Sequence, residues 1–161
     1  MKAHLLDLTA HLAWADAVAL HAVAKVPAAL EAPDVLERLD HAATVGLFFG
    51  KLLRGEPLAP PPEGVPAFDV IRAKARAAAE GLHAWAEGAA EADLAQEVTV
   101  PWFSDPPCVL TAAQALTQAL MHAQHHRGQT MTRLKQLGGR SVNVDYIVWL
   151  WKGRPEPRWE G

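Results

Sequence analysis

Eight histidines in 161 residues are the side chains best suited to chemistry near neutral pH, because imidazole both ligates metals and carries protons. His122 and His126 stand four positions apart in an apolar-periodic segment, which stacks them on one face of a helix. Two imidazoles at that spacing can grip one metal ion. His125, three positions from His122, competes for the same pairing. A helical wheel separates the candidates. Leu116, Leu120, Ala123, Met131, Leu134 and Leu137 define the buried stripe; His126 lies about 60° from its centre, His122 about 100° and His125 about 160°. His122 and His126 therefore border the core, while His125 points to solvent.

A third ligand must come from another segment. His41 continues a stripe of Val45, Phe48 and Leu52 and is expected to face the interior, where a neutral imidazole needs a partner. Three histidines from two facing helices leave a metal position open to water or substrate, a catalytic rather than a structural arrangement. His4, His11, His21 and His83 are expected at the surface or its boundary. Cys108 precedes a helix start, where a thiol pKa can fall, but reads as an ordinary small buried residue. Ser104 has no nucleophile-elbow context, and no glycine-rich phosphate loop is present. Trp14, Trp85 and Trp102 read as core or boundary aromatics. Arg127 falls on the buried stripe, where an unpaired cation is expensive, so it needs a carboxylate. Asp145 is the expected partner.

The elements that must position these residues are helices. Leu5, Leu8, Leu12, Ala15, Ala19 and Ala22 give one apolar face to a helix over 5–25, which Pro27 stops. Asp34 and Glu37 form a capping-box pattern for a second helix running to Arg54, with Gly55 as its stop. A stiff connection with Pro57, Pro60, Pro61, Pro62 and Pro66 crosses to a third helix over 68–87, bearing Val70, Ile71, Leu82 and Trp85. Residues 97–102 read as a short edge strand. Pro106 and Pro107 then turn the chain toward a fourth helix, capped by Thr111 with Gln114 and ended by Gly138-Gly139. A short last helix spans 144–152. The pattern predicts an all-α fold, an up-and-down-type four-helix bundle with a long crossover and a short C-terminal helix, in one domain over 1–161.

Composition narrows the function. Half of the chain is hydrophobic and 20% is charged, which is enough to bury a core and too apolar for a disordered chain. Alanine, about a fifth of the residues, favours helices. No run of about 18 apolar residues exists to cross a membrane, and the first residues lack the apolar core and cleavage site of a signal peptide. A single cysteine gives no internal disulfide. Net charge is −3 without a basic run, which argues against nucleic acid as a partner. A cytoplasmic protein is expected. Alanine stripes on the first and fourth helices, with Trp149, Trp151 and Trp159 needing cover, lead to an expected homodimer.

The segment His122-Ala-Gln-His-His-Arg-Gly-Gln129, with Leu134, Leu137-Gly138, Asp145-Tyr146 and Trp149-Leu150, resembles the DinB/YfiT-like family of metalloenzymes. Trp14-Ala15-Asp16, Leu39-Asp40-His41 and Leu53-Arg54-Gly55 look like the same family. The resemblance spans nearly the whole chain; the histidine motif before Arg-Gly-Gln, with a helix-two histidine, is its specific part. It implies a four-helix bundle holding a metal through His41, His122 and His126. Members of known activity use bacillithiol, mycothiol or glutathione in S-conjugation or isomerisation; many others are stress- or damage-associated proteins of unknown activity, often homodimeric. The DNA polymerase sharing the DinB name is unrelated. A thiol deprotonated at a divalent ion would then attack a small electrophile held near the loops at 57–66 and 101–107. Zinc is the expected ion, and nickel or iron(II) also accept imidazoles. The competing reading is a non-enzymatic stress-response or binding bundle braced by metal, in which the protein itself fills the fourth position.

Overall fold

Helix-forming composition and three-and-four apolar spacing shape most of this chain. The computed structural model describes residues 1–60 and 62–160, so Pro61 of the proline-rich connection and the terminal Gly161 lie outside the described residues. Helix α1 spans Lys2–Ala24, α2 Pro27–Leu30, α3 Pro33–Leu53, α4 Phe68–Gly88 and α5 Glu91–Leu94. Strands β1 (Glu97–Ser104) and β2 (Pro107–Thr111) lead into α6 (Ala112–Gln136), and α7 (Tyr146–Trp151) follows. The fold is mainly helical, with one small two-stranded sheet. No helix among the described residues is long and apolar enough to cross a membrane.

Several boundaries differ from expectation for local reasons. Proline in a first helical turn forfeits no hydrogen bond. Pro27 therefore opens α2 instead of merely ending α1. Pro33 likewise opens α3 two residues early, so Ala32 is the N-cap and Asp34 does not cap. The Asp34 carboxylate instead accepts from Arg133 Nε on α6 at 2.8 Å. Gly55 does stop its helix, with φ of 66°, a conformation glycine adopts without a Cβ penalty. Helix α5 was not anticipated, and the last helix is shorter than 144–152. On α4, Ile71 and Leu82 are buried whereas Val70 is exposed.

The largest correction lies between α5 and α6. Pro106 and Pro107 do not lead straight to a helix; they reverse the chain into a second strand. Val98 pairs with Leu110, Thr99 with Val109 and Val100 with Cys108, antiparallel, with an irregularity between Val100 and Ser104. The Thr111 cap holds as expected: its hydroxyl accepts from Gln114 N–H at 3.2 Å, and Gln114 Oε1 accepts from Thr111 N–H at 2.8 Å.

Helix α3 packs against α4 and α6, and α1 packs against the same two. Leu12, Phe49, Leu82 and Leu116 meet in the largest apolar cluster; Val23, Val35 and Leu134 lie in a second. A Cβ on Gly46 would come within 3.1 Å of Ala78 Cβ, so glycine there lets α3 and α4 approach closely. Ala13, Ala15, Ala17 and Ala19 on α1, with Ala112, Ala115 and Ala119 on α6, are buried inside the chain. These stripes thus serve internal packing and are not free to seat a second subunit.

Candidate metal centre and adjoining cavity

Packing of α3 on α6 brings together three residues that are far apart in sequence. His41 comes from α3; His122 and His126 come from successive turns of α6. Each offers one ring nitrogen, and the three nitrogens lie within 4.8 Å of one another. His41 Nε2 and His122 Nε2 are 3.2 Å apart. Two nitrogens at about 2.05 Å from a tetrahedral ion would be separated by about 3.3 Å, so this pair already has the spacing that a shared ion requires. The rings meet edge to face, with centroids 4.4–5.0 Å apart. A donor set of three imidazoles fits a borderline-soft divalent ion such as zinc.

Burial favours the neutral form of the two α6 rings, His122 and His126. Burial pushes the His122 pKa down to about 4, assisted by repulsion from His126, His41 and His125. Burial also lowers that of His126, against an opposing hydrogen bond to Gln129. His126 Nδ1 meets Gln129 Oε1 at 2.8 Å, and Gln129 Nε2 lies 2.9 Å from His125 Nε2. An amide oxygen can only accept, so Nδ1 carries the proton and His126 Nε2 keeps its lone pair. His125 is exposed, as the wheel predicts.

His41 departs from expectation, being an exposed residue. The residues that α3 buries are Val35, Ala43, Gly46, Phe49 and Gly50; the His41–Val45–Phe48–Leu52 stripe lies at the edge of that face, only partly covered. It borders a cavity of about 640 Å³. His41 and His122 stand on its rim, and Phe48, Phe49, Trp102 and Leu110 form much of its wall. Cys108 lines the same space from β2 and is half-buried, not an ordinary core residue. Trp102 is 49% exposed and contributes to this wall instead of the core. Of the two loops expected beside the site, the 101–107 segment contributes Trp102 and Phe103, whereas residues 57–66 are absent from the described lining.

Two other assignments need correction. His11 is buried, not superficial: its Nε2 donates to the Val144 carbonyl at 2.7 Å, and the ring lies among Trp14, Tyr146 and Trp149. Arg127 pairs with Asp16 on α1, and with Gln124, instead of Asp145. An arginine about four turns along α6 can reach α1 because those helices are in contact; Asp145 is exposed at the start of α7. Gln129 and the aromatic wall were missed as site elements. Their available signals were Gln129 one turn after His126 and the aromatic pairs Phe48-Phe49 and Trp102-Phe103.

These features define a mainly helical protein able to hold one metal ion through three imidazoles, beside an apolar cavity. The chain belongs to the DinB superfamily, whose family model matches residues 2–130. The matched span contains all three histidines and ends before α7. No curated protein matches the chain, and no solved structure does.

Proposed function

We propose that this protein is a metal-dependent thiol S-transferase, joining a low-molecular-weight thiol of the bacillithiol, mycothiol or glutathione type to a small electrophile. His41, His122 and His126 are its metal ligands, zinc is the ion, and the four long helices form one up-and-down-type bundle domain. The observation that carries this reading is the convergence of three imidazoles, two of which, His41 and His122, line an apolar cavity. A divalent ion, when bound, supplies a positive charge that lowers the pKa of a thiol into the neutral range. The chain's own residues supply the rest. Neutral His122 and His126 are ready to donate lone pairs without first losing protons. Gln129 fixes the ring of His126. The cavity wall shields a reacting pair from water. Among the described residues, no fourth histidine, cysteine, aspartate or glutamate joins the group, which favours a site with an exchangeable position over a closed brace. We also propose that the protein works as a homodimer, in which a second subunit covers the exposed Trp151 and Ile147; Trp149 is already buried within the chain.

Elemental analysis of tag-free protein, with His41→Ala and His126→Ala beside it, is the test. Near-stoichiometric metal in the wild type and its loss from both variants support the centre, and screening of thiols against electrophiles then tests transfer. A wild type that takes up no zinc, nickel or iron(II) overturns the reading. A metal-loaded protein inert toward every thiol leaves the metal-braced bundle.

A further inference from the structure

The cavity beside the histidines is unusual in what lines it. At about 640 Å³ it falls within the range of small-molecule sites, about 300–1,000 Å³. Among the described residues, no lysine, arginine, aspartate or glutamate lines it. A charged group entering it would lose hydration without gaining a counter-ion, apart from whatever sits at the histidine rim. Apolar aromatic surface dominates instead. Phe48 and Trp102 meet edge to face with centroids 4.2 Å apart, and Phe49 and Trp102 do so at 6.0 Å. Trp102 and Phe103 nevertheless remain 49% and 55% exposed. Large aromatics left half in water on a two-stranded hairpin gain free energy when a flat apolar partner covers them. Thr44, Gln118 and the Cys108 thiol add uncharged polar points to the lining.

We propose that the cavity binds an uncharged aromatic molecule of one or two rings, packed against Trp102 and Phe48, with its polar end toward His41 and His122. The inference rests on the transferase reading only in calling this molecule the electrophilic substrate's class; the binding itself needs neither metal nor thiol. A molecule seated this way reaches the histidine rim from the cavity side and leaves the solvent side to the thiol.

The experiment uses the full chain, as purified and after chelation, titrated with the fluorescent uncharged two-ring naphthalene probe prodan. Saturable binding of one probe per chain is expected in both preparations. Trp102→Ala should weaken it about tenfold, equivalent to the loss of a single well-packed aromatic contact. Val109→Ala, on the hairpin but outside the cavity lining, should leave it unchanged. Cys108→Phe, which fills the cavity from another position, should weaken it as well and guards against local rearrangement around Trp102. Naphthalene methanol should displace the probe at concentrations at least about tenfold below naphthoate or naphthylmethylammonium. Absence of saturable binding, equal displacement by either ion, or indifference to both cavity variants overturns the inference. Probe binding by a chain that takes up no metal supports this ligand class while overturning the transferase reading; metal uptake without probe binding does the reverse.

Discussion

Arg127, the residue after His126 on α6, is clamped to Asp16 on α1. Successive helical residues point about 100° apart. Fixing Arg127 toward α1 therefore sets the rotation of α6 that aims His126 at His41 on α3. The Arg127 side chain is 5% exposed and that of Asp16 22%, so the pair is mostly shielded from water.

Removing one member of such a pair strands a buried charge. Asp16→Ala should destabilise the fold by about 3 kcal/mol, measured by urea unfolding. Asp145→Ala, at an exposed position whose side chain caps nothing, should change stability by less than about 0.5 kcal/mol. The reverse ranking would assign Arg127 to Asp145.

Metal binding should stabilise the folded chain, since the cluster joins α3 to α6 only after folding. Free zinc at a hundredfold excess over its Kd is worth about 2.7 kcal/mol, visible as a rise in Tm. His122→Ala should abolish the rise. An equal rise in that variant would place the metal elsewhere.

Gln129 orients His126 without belonging to the three-imidazole group. Gln129→Ala should reduce zinc affinity about tenfold, as loss of an orienting partner does, with little change in metal-free stability. Competition against a chromophoric chelator reads the affinity. Gln129→Glu, which keeps an acceptor for Nδ1–H, should restore most of it.

The pH dependence of stability follows from His11. Burial lowers its folded-state pKa below the ordinary 6.5, against the opposing effect of the hydrogen bond it donates to the Val144 carbonyl. The unfolded chain then takes up the proton first. Stability from this residue is complete above about pH 6.5 and falls as pH drops toward the folded-state value. His122 and His126, also lowered, act in the same direction in metal-free protein. Urea midpoints of metal-free wild type should fall between about pH 8 and about pH 5, and His11→Phe should show a shallower fall. A variant with the same slope would deny His11 this role.

What could be read from sequence was what depends on near neighbours. The helical segments were legible because apolar residues recur every three or four positions, and the α6 cap because Thr111 and Gln114 satisfy each other locally. The pairing of His122 with His126 followed from helical spacing alone. Tertiary structure decided the rest. Whether Asp16 or Asp145 meets Arg127 depends on which helix α6 lies against, and single-helix periodicity says nothing of that. His41 proved peripheral because α3 turns Val35, Ala43, Gly46, Phe49 and Gly50 inward and leaves the His41 stripe at the edge of that face. The second strand, and with it the aromatic wall, arises from pairing across the Pro106-Pro107 reversal. Only the assembled α3, α6 and hairpin enclose a cavity beside the histidines, because its α3 wall and its hairpin and α6 walls come from residues more than fifty positions apart that share no local signal.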